Sequence, residues 1–599
     1  MDIVSAESRD RLLQAIDDEI KSLEESTRAL KSRRNELAPI SCLPPETLAA
    51  IFSFLFPFEG NENSGAGYLE GIRVTHVCRR WREVALNHPR LWSHINFVEL
   101  ASASMAEILA RAKMAPLHLE ADLINSRWDQ VDAIERQVEA HISHTRHLCI
   151  IGELHITFER LVSSAPTLES LSLSHSGLPQ AVIPVNLFNC TVPNLTSLVL
   201  DSCDISWKSP LLKGLRTLRI VWPSMNARPK LEDWLDALNE MPQLKTLILK
   251  FATPRASLTS PTSDSSHIIT LPFLTEFYIS AFAEDCALAL AHLTMPTLTS
   301  LQIDAKSFDA KGEDVGPLIP HVARNVCGQQ GPEPLRSILI SSGRTDAKVV
   351  AWTLPDADLK ERDARNWSST SIPARFKLMF TATGSNWNPG VDVEIIGALL
   401  MLLPVDSVST LATQRDTRLS KEFWLTHAPR WLSLERVSLV STAIKPFRDM
   451  LAEDVPPDGP RLSSLTELIL VEVKLTALKI YDLRDVLLER VEQGVPLKVL
   501  DLSTSFADCA IPLLREVVVD VKEPLGMHST TMAPLSLSAL HRRIGNRNGV
   551  EYDVVQSPWD DDAYDDEDED GDEVEVEADY DAYDDVNYDD EFDSFDPEE

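Results

Sequence analysis

The sequence predicts a mixed α/β protein: an N-terminal helix and a small all-α module, followed by an irregular α/β solenoid and a disordered acidic tail. Three observations predict it. Residues 39–97 hold a dense block of aromatic and aliphatic side chains at helical spacing. A Leu-rich octapeptide recurs from residue 160 onward, and residues 560–599 contain 24 Asp or Glu with no Lys or Arg. A chain of 599 residues corresponds to about three or four ordinary domains or to one elongated repeat array. Its 44% hydrophobic and 25% charged residues are the proportions of a soluble globular protein.

The formal net charge is −36, and setting aside the 24 tail carboxylates leaves −12 for the first 559 residues. The body is therefore mildly acidic. Neither part has the clustered positive charge that a phosphate backbone requires, which argues against nucleic acid as a partner. The longest apolar run, Ile395–Val405, falls short of the about 20 residues of a membrane span, and MDIVSAESRDRLL lacks the apolar core of a signal peptide. No membrane association is expected. The eight Cys (42, 78, 149, 190, 203, 286, 327, 509) contain no CxxC, so a zinc ribbon, a redox pair and a disulfide framework all lack support. These features place the chain in a reducing compartment, cytoplasmic and/or nuclear. The sequons at Asn189, Asn194 and Asn366 should stay unmodified there.

Residues 1–38 read as one helix. Leu13, Ile16, Ile20, Leu23, Thr27, Leu30, Arg34 and Leu37 alternate three- and four-residue steps, which keeps one seam on one face. Self-association as a coiled coil and an amphipathic helix lying on its own chain both fit this pattern.

Residues 39–97 follow. Pro44 and Pro45 suit a helix start, where a missing N–H costs nothing. Leu48, Ile51, Phe52 and Leu55 then recur at i, i+3, i+4 and i+7. After a Gly/Asn-rich break at 60–67, Val74, Val77, Cys78, Trp81 and Ala85 repeat that spacing, which predicts a second helix from Val74. Pro89 stops it, and Leu91–Trp92 forms a bulky anchor beyond. With Leu43, Phe54, Phe56 and Phe58 added, the block has more apolar surface than about 50 residues can enclose, and the surplus implies a covering surface.

LPPETLAAIFSFL followed by VTHVCRRWREVALNHPRLWSHI resembles an F-box, most closely that of basidiomycete fungal F-box proteins. The resemblance covers about a tenth of the chain. It implies binding to a Skp-family adaptor and, through it, to the cullin of a ubiquitin ligase. On this resemblance Leu43, Pro44, Ile51, Phe52, Leu55, Val77, Cys78 and Trp81 form or support the adaptor contact. Glu46 fits the acidic position of the opening motif, and Leu91 and Trp92 close the module.

Residues 98–159 read as linker and capping repeat, with two helix–strand pairs: MAEILARAKMAPLHLEADL (105–123) and VDAIERQVEAHISHTRHLCIIG (131–152). The solenoid spans 160–545. Its L-x-x-L-x-L units are PTLESLSL (166–173), PNLTSLVL (193–200), KGLRTLRI (213–220), PQLKTLIL (242–249), PFLTEFYI (272–279), PTLTSLQI (296–303) and EPLRSILI (333–340). After a gap come LSLERVSL (432–439), SSLTELIL (463–470), VPLKVLDL (495–502) and PLLREVVV (512–519). One strand per 20–30 residues indicates a leucine-rich-repeat-like solenoid, because no unit can bury its own Leu row and stacking makes one core. Spacing wanders, and residues 341–430 resist placement; ARFKLMFT (374–381) and the IIGALLMLLPV helix followed by VSTL fit one degenerate unit.

Residues between the Leu positions face away from the core. In the first six repeats they include Ser170, Ser172, Ser174, Ser197, Val199, Asp201, Thr217, Arg219, Val221, Thr246, Ile248, Lys250, Glu276, Tyr278, Ser280, Ser300, Gln302 and Asp304. Arg219, Lys250, Tyr278 and Gln302 are the candidates for contacting a protein substrate, since interface energy concentrates in few residues.

Residues 546–599 should be a disordered acidic tail, because a dense like-charge run repels itself. Aromatic residues among its carboxylates allow a basic partner. No phosphate-binding loop, zincin motif or nucleophile elbow occurs, and no catalytic residue, metal site or cofactor is expected. His141, His144 and His147, at i, i+3 and i+6, do not converge on one helix face. Two functions are weighed. One is a non-catalytic substrate-recognition subunit of an SCF-type cullin–RING ubiquitin ligase; the other is a non-enzymatic scaffold or histone-like basic-protein chaperone using the acidic tail.

Overall fold

The structure is a computed structural model. It describes residues 6–55, 72–97, 102–124, 126, 128–224, 227–256, 267–307, 314–327, 334–342, 346–354, 374–382, 391–414, 417, 419–440, 444–457, 459–471, 473–503, 505–507 and 511–522. Phe56, Phe58, the break at 60–67, Asn366, Cys509 and the acidic tail lie outside the described residues.

Helix α1 (Ala6–Glu36) opens the chain. A 3-10 turn at Pro39–Cys42 leads into α2 (Pro45–Ser53), whose N-cap is Pro44 and whose first turn holds Glu46. The second helix of the block does not run from Val74. Val74–His76 is a 3-10 turn, Cys78 is fully extended (φ −155°, ψ 169°), and α3 covers Arg79–Asn87. The i+3/i+4 spacing across the break puts Val77 on one helical stripe with Val74, Trp81 and Ala85. The break rotates it outward instead, to 58% exposure. Beyond α3, Pro89–Trp92 makes a further 3-10 turn.

The rest is a long sheet with helices on one side. Its first nine strands are β1 (His94–Asn96), β2 (Leu117–Asp122), β3 (Thr145–Gly152), β4 (Ser170–His175), β5 (Ser197–Asp201), β6 (Thr217–Val221), β7 (Thr246–Lys250), β8 (Glu276–Phe282) and β9 (Ser300–Ser307). They are parallel and lie side by side in chain order. Between the first three strands run α4 (Ser102–Ala112) and α5 (Trp128–His141).

The Leu-rich octapeptide specifies each repeat through one construction. The first Leu is buried in a turn just before the strand, at Leu168, Leu195, Leu215, Leu244, Leu274 and Leu298, and the next two point inward from the strand. At the strand entrance one carbonyl accepts two successive N–H groups from the next repeat. Glu169 O takes Thr196 and Ser197, Thr196 O takes Arg216 and Thr217, and Arg216 O takes Lys245 and Thr246. A fully buried Leu contributes about 1.5–3 kcal/mol, so the repeating Leu ladder dominates cohesion.

Beyond β9 the chain departs from stacking. β10 (Ser337–Ser342), β11 (Asp346–Trp352) and β12 (Phe376–Ala382) form an antiparallel meander. It is β12 that pairs with β9, while β10 pairs with β13 (Thr410–Gln414). The spatial order is therefore β9–β12–β11–β10–β13. ARFKLMFT and VSTL belong to strands of two different units joined by α6 (Val391–Leu402), not one degenerate repeat. Strand β11, DAKVVAW, lacks the Leu pattern because it runs against its neighbours. Stacking then resumes with β14 (Arg436–Val440), β15 (Glu467–Val471), β16 (Val499–Asp501) and β17 (Asp520–Lys522), all parallel.

The last octapeptide also departs from expectation. PLLREVVV lies on a 3-10 turn at Ile511–Glu516 followed by a loop, and the strand comes after it. Val517 and Val518 are both buried and Val519 is 86% exposed, which is no period-two alternation. Among the described residues one large apolar core runs from Leu48 to Val521, so the helical block and the sheet share it, and Leu339, Val350, Trp352 and Ala412 form a small second cluster at the meander. No described helix is long and apolar enough to cross a membrane.

Candidate binding surfaces

The first surface is on the helical block. Its interior is closed by Leu48 and Phe52 of α2, Val74, Ala85 of α3, and Leu91 and Trp92, all buried. The Phe52 and Trp81 rings meet at 5.0 Å between centroids. Trp92 donates Nε1–H to the Ala85 carbonyl at 2.7 Å, and the Arg111 guanidinium of α4 lies 4.8 Å over its ring. Phe52, expected to form or support the adaptor contact, and Leu91 and Trp92, expected to close the module, are interior, which leaves them the supporting role alone.

What stays outside is apolar as well. Ile51 (39% exposed), Phe54 (85%), Leu55 (50%) and Val77 (58%) project from the same block, with Leu43, Cys78 and Trp81 half-buried and Pro44 and Glu46 exposed. Sequence reasoning did not single out Arg80. It donates to the Leu43 carbonyl at 2.5 Å and to that of Ser41, fastening α3 to the entry turn. Arg82 likewise donates to the Thr75 carbonyl at 2.7 Å across the helix break. No composition signal distinguishes such guanidinium clasps from surface charge.

The second surface is the helix-free face of the sheet. Register aligns its residues in rows. One row runs Asn96, Glu120, Cys149, Ser172, Val199, Arg219, Ile248, Tyr278, Gln302 and Lys377. Arg219, Tyr278 and Gln302 are therefore on one line, and Lys250 lies on the adjacent row with its Nζ 5.4 Å from the Tyr278 ring centre. Burial and then Asp304 raise the Tyr278 phenol above its ordinary pKa, so it stays a neutral donor. Val221, Ser280 and Ser300, expected on this face, are buried between neighbours. Trp222, just past β6, stacks on Phe251 at 4.8 Å and Phe251 meets Phe282 at 5.7 Å, giving an aromatic edge that the octapeptide search passed over.

The first three strands add a histidine ladder that the sequence analysis scattered. His94, His118 and His147 are register partners, stacked with 4.0 Å between successive ring centres. Burial, then the two flanking imidazoles and Arg146, depress the His118 pKa to about 3. His147 thus belongs to a strand, whereas His141 ends α5 and His144 sits in the turn after it. Among the described residues no group of three or more His, Cys, Asp or Glu is arranged to hold a metal.

The geometry defines a two-part class of protein, a small helical module continuous with a leucine-rich-repeat-like solenoid. Comparison with known families agrees on the first part: residues 40–98 match the F-box-like family model. No curated protein matches the chain. Among solved structures, an internalin (inlF) from Listeria monocytogenes str. 4b F2365 is similar with a TM-score of 0.25 and 14% identity, covering 65% of this chain and 92% of that one. The solenoid assignment rests on strand register and the repeated turn hydrogen bonds.

Proposed function

We propose that this chain is a substrate-recognition subunit of an SCF-type cullin–RING ubiquitin ligase, working in the cytoplasm and/or nucleus. The F-box-like module docks a Skp-family adaptor, and the helix-free sheet face holds a protein target through residues such as Arg219, Lys250, Tyr278 and Gln302. The observation that carries the reading is the exposed apolar cluster of Ile51, Phe54, Leu55 and Val77 on a module whose interior is already filled. Such a cluster marks a contact surface. The work is tethering: holding a target near a conjugating enzyme raises effective concentration without chemistry in this chain.

The test is co-purification of the full chain with a Skp-family adaptor. Wild type is expected to bind. Leu55→Asp/Val77→Asp, which alters only exposed side chains, should weaken binding more than tenfold while leaving the circular dichroism spectrum and melting temperature unchanged. Equal retention of adaptor by both proteins, or by neither, overturns the proposal.

A further inference from the structure

Helix α1 leaves its entire apolar seam in solvent. Leu13, Ile16, Ile20, Leu23 and Leu30, with Leu37 one residue past the helix end, are 52%, 47%, 49%, 62%, 69% and 82% exposed. All six fall on the a and d positions of one heptad frame, with Thr27 and Arg34 completing it. The helix is about 46 Å long at 1.5 Å per residue, and a seam of this length needs a cover of matching length and period.

Charge selects the cover. Residues 6–20 carry a net −3 and residues 21–36 a net +2. Two copies side by side in the same direction would place acidic half against acidic half, with Glu19 of one facing Glu24 of the other across the flank. Two copies in opposite directions place each acidic half against a basic one. Aligning Ile20 with Leu30 of the second copy brings every seam position opposite another: Leu13 with Leu37, Ile16 with Arg34, Leu23 with Thr27. In that register Asp17 flanks Lys31, and Glu19 flanks Arg33, each pair occurring twice by symmetry. The stem of Arg34 covers Ile16 while its charge extends toward the acidic run at 17–19. The only like-charge meeting is Glu24 with its own copy at the two-fold axis, and Arg28 sits 3.2 Å from Glu24 on the same helix to offset it. We infer that α1 is an antiparallel homodimerisation helix whose occupant is a second copy of this chain.

The charges that set the direction also supply the test, using the full-length chain in sedimentation equilibrium. Wild type is expected to dimerise. Lys31→Glu/Arg33→Glu and, separately, Asp17→Lys/Glu19→Arg should each weaken self-association at least tenfold, because each homodimer then opposes like charges at both flanks. An equimolar mixture of the two variants should recover wild-type affinity as a heterodimer, since the 17–31 and 19–33 pairs are again of opposite sign, as in wild type. All four substitutions are on the exposed face of the helix, and circular dichroism should be unchanged. A monomeric wild type, a dimer indifferent to both variants, or a mixture that associates no better than its components would each overturn the inference. None of these outcomes depends on adaptor binding.

Discussion

His118 lies between two other imidazoles on neighbouring strands, and its environment makes a pH prediction with a definite sign. Its folded pKa of about 3 is below the unfolded value near 6.5. Between those limits the unfolded chain binds the proton first, so folding stability falls as pH drops from about 6.5 toward 3. The flanking groups His94, His147 and Arg146 all oppose protonation. Urea unfolding at pH 7 and pH 5 should show a lower midpoint at pH 5, and His118→Asn should narrow that difference. An unchanged difference would mean that the ladder does not resist protonation. None of this was legible locally, since 24 residues separate His94 from His118 and 29 separate His118 from His147. Spacing between repeats, which is irregular here, decides which side chains become neighbours. Arg219, Tyr278 and Gln302 could be aligned from sequence because each follows the same Leu landmark. Arg80 had no landmark, as its role depends on carbonyls 37 and 39 residues away.

At the scale of elements, the Leu octapeptide was a good guide wherever it made parallel strands and poor where topology changed. The meander β10–β11–β12 reverses spatial order, and its middle strand runs antiparallel, so the signature of parallel stacking is absent from it. The helix break at Cys78 was hidden for a different reason: a 3-10 turn followed by one extended residue preserves the apparent helical spacing of apolar residues while changing the face of Val77. Aromatic clustering shows how the later repeats hold together. Trp424 on α7 (Lys421–His427) is fully buried and meets Trp431 at 5.6 Å and Phe447 of α8 (Ile444–Leu451) at 4.7 Å. Among the described residues its indole N–H finds no acceptor. Trp424→Ala should therefore destabilise by about 3–5 kcal/mol through an unfilled cavity. Trp424→Phe, which loses no hydrogen bond, should cost less than about 1.5 kcal/mol. Equal losses for the two in thermal or denaturant unfolding would refute this packing account.

Across the whole molecule, the helical module and the sheet are joined through shared structure. β1 begins two residues after Trp92. His118 N–H donates to the Ser93 carbonyl at 2.8 Å, and Phe97 N–H to the Glu120 carbonyl at 2.9 Å. Trp92 lies in the common core with α3 on one side and α4 on the other. Trp92→Ala should cost about 3–5 kcal/mol and speed hydrogen exchange in both α3 and β1–β2. Loss of protection confined to α3 would indicate two independent units. In the proposed role, this continuity would hold a protein bound on the sheet face at one angle and one distance from the apolar cluster at Ile51, Phe54, Leu55 and Val77. In that role the chain would act as a set square rather than a leash: side chains of a bound protein that face the wrong way would stay out of reach however tightly it is held, and selectivity would arise from orientation alone.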